Sequence, residues 1–302
     1  MTHPAISGLA SSFRSRLIID RYSSVLSRLP LRRQVSLADP KRPDAEIWNV
    51  FRTLAQLDPA LWLPRILALG RIPSVPAAAD LAAGVGLTLW KRVKPPAERI
   101  HWLHQRALRG EIRPPVGRRR KGRVVPLSEL REELRDRARR RLPLEEPVEV
   151  DVIVKGLGSV LFVQVPDRGE SPAEPAASDA GRSYLLRLID AGISYAESRA
   201  RARRGPVDFS LLVLPLRTDS REAWTRAVRP LAASPARLHR AFPHRGHDFD
   251  PSSRLDGLGV GTWPGMRALL SDLRGGVSDP FEAALLDRLL RRGKSGGAPI
   301  PI

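Results

Sequence analysis

The 302-residue sequence contains no cysteine, few aromatic residues and no apolar run of membrane-spanning length. The missing thiols exclude disulfide bonds, thiolate nucleophiles and zinc or iron–sulfur sites built on cysteine. The first apolar run is interrupted at once by Asp20 and Arg21, so the N-terminus lacks the apolar core of a signal peptide. We therefore expect a cytoplasmic protein that does not enter the membrane.

Acidic residues are scarce relative to basic ones. The 32 Asp and Glu stand against 51 Lys and Arg, which leaves a formal charge of +19. This excess favours a polyanionic partner, and nucleic acid is the first expectation. Only six of the 51 cations are Lys, so the alternative is a compositional bias towards Arg that is unrelated to binding. The 42% of hydrophobic residues are enough for a large core.

A β-hairpin is predicted near the middle of the chain. Residues 148–154 and 160–165 are rich in β-branched and apolar side chains, and a Gly-Leu-Gly-Ser break separates them. A loop of two or four residues places Asp151 opposite Gln164, and Glu149 opposite Pro166, on one face of the hairpin. Directly opposite residues have Cβ atoms about 4.5–5.5 Å apart, so a carboxylate and an amide there can together bind one cation or one water molecule. A loop of odd length would break this pairing.

The elements around the hairpin indicate an α/β fold with a mixed sheet. Helical periodicity over residues 182–203 is followed by an apolar run of strand length at 207–214, so the helix can serve as a crossover to a parallel strand. A helix with a buried face is predicted to begin near Glu46. The last hundred residues are expected to be helical, and Asp279 is expected to cap the final helix.

Composition divides the chain into two parts. Residues 1–43 are expected to form a basic N-terminal arm with a peripheral helix, and residues 44–302 a single domain. Within that domain we expect a helical and basic insertion at 60–147, the hairpin core at 148–214 and a helical C-terminal part at 215–302. A basic loop in the insertion is either a solvated surface or a nucleic-acid contact, with candidate residues Arg118, Arg119, Arg120, Lys121 and Arg123.

This order of elements resembles the PD-(D/E)xK superfamily, the restriction-endonuclease-like nucleases. The matching residues are Glu46 in the first helix, Asp151 on the first hairpin strand, Gln164 on the second, and Arg182 with Arg187 in the crossover helix. The resemblance covers roughly residues 44–302. It implies a central mixed sheet flanked by helices, with mainly helical additions at both ends.

The resemblance also implies a Mg²⁺ site. Asp151 and Gln164 match the strand ligands of the family, Glu46 matches a helix glutamate that some members add, and Glu149 is a further candidate ligand. In such a site the cation lowers the pKa of a water molecule and neutralises charge on the scissile phosphate. We therefore expect a metal-dependent phosphodiesterase or a descendant of one.

Pro166 departs from the family pattern, because it stands where the family has a lysine. Proline offers neither a charge nor an N–H donor, so we expect impaired cleavage. Lys155 has the same strand parity as Asp151 and is the candidate replacement. Arg182 or Arg187 could also reach in from the crossover helix in place of the lysine, although arginine is a poor proton acceptor. Both are in addition candidates for nucleic-acid contact.

Three functions remain open from the sequence. The first is a nuclease-like protein that binds nucleic acid, most directly DNA. The second is an inactive pseudo-nuclease that acts as a structural or regulatory partner in a nucleic-acid-processing complex, and the third is an unrelated basic α/β protein that binds RNA. A homodimer follows if residues 1–43 pack against a second copy. The cluster of His244, His247, Asp248 and Asp250 lacks a complete zinc spacing.

Overall fold

The computed structural model describes residues 14–73, 81–112, 119–120, 123–166, 172 and 182–294. Its centre is a five-stranded mixed sheet of β1 (Gly86–Val93), β4 (Val148–Lys155), β5 (Ser159–Gln164), β6 (Asp208–Val213) and β7 (Leu255–Val260), and a separate ribbon pairs β2 (Arg119–Arg120) with β3 (Arg123–Val124). The strand order in the large sheet is β1-β4-β5-β6-β7. Strand β4 is antiparallel to both β1 and β5, and β5, β6 and β7 are mutually parallel. The predicted α/β class with a mixed sheet is confirmed.

Helices cover both faces of the sheet. They are α1 (Ser24–Arg28), α2 (Leu31–Ala38), α3 (Asp44–Leu54), α4 (Pro59–Leu69), α5 (Ala97–Leu108), α6 (Leu127–Arg139), α7 (Tyr184–Arg203), α8 (Thr218–Ala232), α9 (Pro235–Ala241), α10 (Trp263–Gly276) and α11 (Pro280–Lys294). Asp279 caps α11 as predicted, because its Oδ1 accepts hydrogen bonds from the main-chain N–H groups of Phe281 and Glu282 at 2.9 and 3.0 Å. Within the described residues, no helix combines the length and the apolar character that a membrane span needs.

The hairpin of β4 and β5 has the predicted register. Val152 pairs with Val163 and Lys155 pairs with Val160. The main-chain N–H of Gly156 donates to the carbonyl of Ser159 at 2.9 Å, so the loop between them has two residues. Continuing this register places Asp151 opposite Gln164.

Helix α7 is the crossover between β5 and the parallel strand β6. It begins after Ser183, whose side chain accepts from the N–H of Leu186, and it ends at Arg203, before the C-cap residue Arg204, whose backbone is left-handed with φ of 56°. Gly192 brings the helix close to the sheet, because a Cβ there would lie 2.1 Å from the ring of Phe209. The helix therefore packs directly onto β6.

Two hydrophobic cores lie on opposite faces of the sheet. On one face α3, α4, α10 and α11 pack against alternate residues of the central strands, namely Val152, Val154, Leu161, Val163 and Leu212. On the other face α7 and α8 pack against the intervening residues Ile153, Val160, Phe162, Phe209 and Leu211. A smaller cluster joins α5 and α6 through Leu103, Ala107, Leu134 and Ala138.

Strand β7 corrects the expectation that the last hundred residues are helical only. Its sequence is rich in glycine, which has low strand propensity and therefore conceals the strand. The glycines permit close packing, since a Cβ on Gly259 would lie 2.4 Å from the carbonyl oxygen of Gly70 and one on Gly257 would lie 2.6 Å from Ile72. Thus β7 and the end of α4 meet at backbone contact distance.

Candidate active site and a buried ionic network

Asp151 lies where the ladder between β4 and β5 opens. The hydrogen-bonded register would next pair Val150 with Val165, but the N–H of Val165 donates instead to Oδ2 of Asp151 at 2.8 Å. The carboxylate therefore replaces a main-chain acceptor at this point. Asp151 is 7% exposed, so the site is nearly closed to solvent.

Gln164 is the second buried polar residue at this opening. It is 3% exposed, and its Oε1 has no hydrogen-bond partner among the described residues. An unsatisfied buried acceptor costs about 1–3 kcal/mol, so such an atom calls for an explanation. A donor or a cation that binds next to Asp151 would supply one.

The other two predicted metal ligands are bound by cations of the protein itself. Oε1 of Glu46 accepts from Nε1 of Trp263 at 2.7 Å and from Nη2 of Arg267 at 2.7 Å. Glu149 forms ion pairs with Arg32 and Arg33 of α2. In the part of the chain that the structure describes, no cluster of three or more His, Cys, Asp and Glu could hold a metal ion. Asp151 and Gln164 are therefore brought together without Glu46 and Glu149.

Lys155 lies at the opposite end of β4 from this opening. It is four residue steps along the strand from Asp151, a rise of about 13 Å. Its Cε is 3.4 Å from the position that a Cβ on Gly86 would take, so the side chain lies across the start of β1. Pro166 is buried and occupies the position next to the opening. Position 166, two residues after Gln164, therefore holds a proline in place of a lysine, and Lys155 lies far from Asp151 and Gln164.

Arg182 and Arg187 are internal and do not belong to the nucleic-acid surface predicted for them. They are 6% and 5% exposed. Arg187 donates from Nη2 to the carbonyl of Glu146 at 2.8 Å, and Arg182 donates to Glu145 and Asp190 at 2.5 and 2.6 Å.

The basic loop is only partly described. Arg119 and Arg120 lie in β2, and Arg123 lies in β3, where Arg120 pairs with Arg123 across the ribbon. Arg118 and Lys121 fall outside the described residues. Nucleic-acid contact by this loop stays a prediction.

A buried ionic network surrounds Asp190 in the middle of α7. Asp190 is fully buried, and its carboxylate accepts from Nη1 of Arg182 at 2.6 Å and from Nε of Arg245 at 2.7 Å. Nε2 of His244 lies 2.9 Å from Oδ2 in a bent contact. Glu145 extends the network by binding Arg182 and also Nε of Arg99 at 3.1 Å. The network joins α5, the segment before β4, α7 and the turn after α9.

Opposing effects set the ionisation of the two central groups. Burial opposes ionisation of Asp190, but the contact with His244 and the charges of Arg182 and Arg245 outweigh it and hold the pKa of the carboxyl well below its usual range. Burial lowers the pKa of His244, and the neighbouring arginines Arg182 and Arg99 add to this, against the attraction of Asp190. His244 is therefore a neutral imidazole at neutral pH.

His244 also lines a cleft of about 560 Å³ along one side of α5, together with Glu98, His101, Trp102, Gln105 and Arg109. Sequence reasoning considered His244 only as a weak metal ligand and did not find the network. One signal was present, since Asp190 interrupts the apolar stripe of α7 beside Leu188 and Ile189. A charged residue within a buried stripe requires a charged partner.

Comparisons with protein-family models, with curated proteins and with solved structures find no match for this chain. Any functional proposal therefore depends on the residues and their geometry.

Proposed function

We propose that this chain is a nucleic-acid-binding protein, directed to DNA, with a restriction-endonuclease-like core that does not cleave efficiently. The observation that carries the proposal is the pair Asp151 and Gln164 at the opening of the β4–β5 ladder, where Oε1 of Gln164 has no partner among the described residues. The order α3, β1, β4, β5, α7, β6 supports it, because three antiparallel strands are followed by a helical crossover to a parallel strand.

Three features of the site argue against efficient cleavage. Pro166 supplies no cation, and Lys155 lies about 13 Å along the strand. Glu46 and Glu149 are neutralised by guanidinium groups, so they are not free to add charge to the site. A hard cation at this site would have only one carboxylate and one amide oxygen as protein ligands. Water or phosphate oxygens would therefore have to complete its coordination shell.

Binding is supported by positive charge beside the site. The edge strand β1 pairs with β4, and it presents exposed cations at Lys91, Arg92 and just beyond at Lys94. Phosphate groups that follow this edge would lie one strand away from β4, which carries Asp151. Attraction of this kind is sequence-independent and is screened by salt.

The test combines binding and cleavage. Fluorescence anisotropy with a labelled duplex over a salt series is expected to show affinity that falls steeply as salt rises. Plasmid and single-stranded DNA with Mg²⁺ or Mn²⁺ are expected to stay as intact with the native chain as with Asp151→Ala. Absence of binding at low salt would overturn the proposal.

A second candidate is a metal-dependent phosphodiesterase, favoured because Oε1 of Gln164 has no hydrogen-bond partner in the part of the chain that the structure describes. If Mg²⁺ or Mn²⁺ binds there, Asp151 and Gln164 would hold it, and the cation would supply an activated water and charge neutralisation. Cleavage by the native chain that is lost in Asp151→Ala would establish this activity and replace the non-cleaving proposal.

A further inference from the structure

Exposed apolar side chains are concentrated on the first two helices and the turn before them. Tyr22 is 83% exposed, Val25 53%, Leu31 61% and Val35 49%. Single exposed apolar residues are ordinary, but four within 14 residues of sequence form a concentration that asks for a partner. These four residues are called the arm surface below.

Helix α2 has two apolar sides, and the fold uses only one. Leu37 is fully buried and packs with Leu26 and Trp48 in a small core. Leu31 and Val35 are one helical turn apart and lie on the outer side, where neighbouring Arg32 is also exposed. The outer apolar side is therefore not needed for packing of the helix against the protein.

The segment that precedes the arm surface is anchored to the rest of the protein. The N–H of Ile18 donates to Oδ1 of Asn49 at 2.7 Å, and Arg292 of α11 donates to the carbonyls of Ser15 and Arg16 at 2.6 Å each. Because the supporting segment is anchored to α3 and α11, a partner would find a formed surface. Preformed surfaces lose less conformational entropy on binding.

The charge around the arm surface selects the partner. Residues 14–43 contain two acids, Asp20 and Asp39, and eight cations, namely Arg14, Arg16, Arg21, Arg28, Arg32, Arg33, Lys41 and Arg42. Asp20 is engaged by Arg52, and Asp39 accepts from the N–H of Lys41. A second copy of this surface would therefore be repelled, whereas an acidic surface would be attracted.

The residue types favour a protein as that partner. Protein interfaces are rich in tyrosine, arginine and apolar side chains at their centres. Arg14 lies 5.6 Å from the ring centre of Tyr22, and Arg28 is exposed on α1 between Val25 and Leu31. Phosphate backbones would use the cations but would gain nothing from Leu31 and Val35.

We infer that the arm surface is a docking site for an acidic, amphipathic segment of another protein. The apolar side of that segment covers Leu31 and Val35, and its carboxylates reach Arg28 and Arg32. Arg32 keeps 62% of its side chain exposed while it pairs with Glu149, so it can accept a second carboxylate. This inference goes beyond nucleic-acid binding and does not depend on it.

The test is a selection from a random 16-residue peptide library displayed on phage, with the full-length chain as bait. Enriched peptides are then synthesised with a fluorescent label, and their affinities are measured for the native chain and three variants. Leu31→Ser with Val35→Ser removes the apolar contact, and Arg28→Glu reverses one charge. Phe281→Ser is the matched control, because Phe281 is equally exposed at 63% on α11. Circular dichroism verifies that each variant is folded.

We expect enriched peptides that combine Asp or Glu with Leu, Ile or Phe. Their affinity is expected to fall at least about tenfold for the double variant and several-fold for Arg28→Glu, with Phe281→Ser unchanged. Failure to enrich such peptides, or equal binding by all variants, overturns the inference. The test also measures binding of the native chain and the double variant to anionic vesicles and to duplex DNA, and their self-association by sedimentation velocity. If one of these interactions depends on Leu31 and Val35 while no peptide binds, the inference is also overturned.

Discussion

Replacing Asp190 by asparagine tests whether the buried network holds the fold together. The carboxylate accepts from Arg182 and Arg245 at 2.6 and 2.7 Å and is completely shielded from solvent. The asparagine side chain is neutral, and its NH₂ group would face guanidinium donors. Arg182 keeps Glu145 and Arg245 keeps Glu197 as partners. The substitution therefore removes one of the two carboxylates that each guanidinium group binds, while it changes the side-chain volume very little.

The expected cost is large because the partners stay buried. Removing one member of a buried ion pair destabilises by about 3–5 kcal/mol. A domain of this kind is stable by about 5–15 kcal/mol, so the loss is a substantial fraction of the whole. With a urea m-value of about 3 kcal/mol/M, the midpoint of unfolding is expected to move down by about 1–1.7 M.

Urea unfolding monitored by tryptophan fluorescence measures this shift. Asp219→Asn is the matched control, since Asp219 is an exposed aspartate paired with Arg217 at the start of α8. Its midpoint is expected to stay at the native value, because solvent screens exposed pairs. Equal midpoints for Asp190→Asn and Asp219→Asn would refute the stabilising role of the network.

The pH dependence supplies a second check with a defined sign. The folded-state pKa of Asp190 is lowered, so the unfolded chain takes up the proton first as the pH falls. The stabilisation is therefore complete above the unfolded pKa of about 3.9 and is lost as the pH falls towards the folded value. The free energy of unfolding of the native chain should exceed that of Asp190→Asn by a constant amount near neutral pH, and this difference in stability should shrink below about pH 4. A difference that stays unchanged as the pH falls from about 5 to about 3 would contradict this assignment.

Two further predictions concern backbone contacts. Gly259→Ala places a Cβ 2.4 Å from the carbonyl oxygen of Gly70, so the free energy of unfolding is expected to fall by about 1–3 kcal/mol. The control Gly275→Ala in α10 meets nothing within 4 Å, so it should stabilise the protein by up to about 1 kcal/mol. If both variants changed the stability in urea unfolding in the same direction, the close packing of β7 would be refuted. Asp151→Ala should cost about 1–3 kcal/mol because the N–H of Val165 loses its acceptor, and Asp151→Asn should cost less because an amide oxygen can replace it. Equal stability of these two variants in the same assay would argue against the hydrogen bond.

The hairpin and the crossover could be predicted from the sequence because local composition decides them. The β-branched residues 148–154 and 160–165 favour strands, and a two-residue loop fixes which residues face each other. The apolar stripe of α7 and the length of the helix then require a parallel strand. The pairing of Asp151 with Gln164 follows from these local rules.

Elements that depend on tertiary contacts could not be predicted in the same way. Strand β7 is stabilised by the close approach of Gly259 to Gly70, which no local pattern reveals. Helix α4 contains Pro64 in its interior, so its pattern indicates a break where the structure has a continuous helix. In edge strand β1 the backbone φ of Trp90 is 52°, which is unusual for a strand. The apolar residues of this segment also keep neither the two-residue spacing of a strand nor the spacing of a helix throughout.

The formal charge of the sequence overstates the positive charge that is available at the protein surface. A formal charge of +19 treats every cation as available, yet Arg99, Arg182 and Arg187 are buried inside the protein. Further guanidinium groups, such as those of Arg33 and Arg267, bind the carboxylates Glu149 and Glu46, which are candidate metal ligands by sequence. These arginines supply the charge neutralisation that a divalent cation would otherwise supply at the two carboxylates. Because these groups are already occupied, the salt dependence of the proposed nucleic-acid binding should report only the exposed cations, and its slope should be smaller than the charge of the sequence suggests.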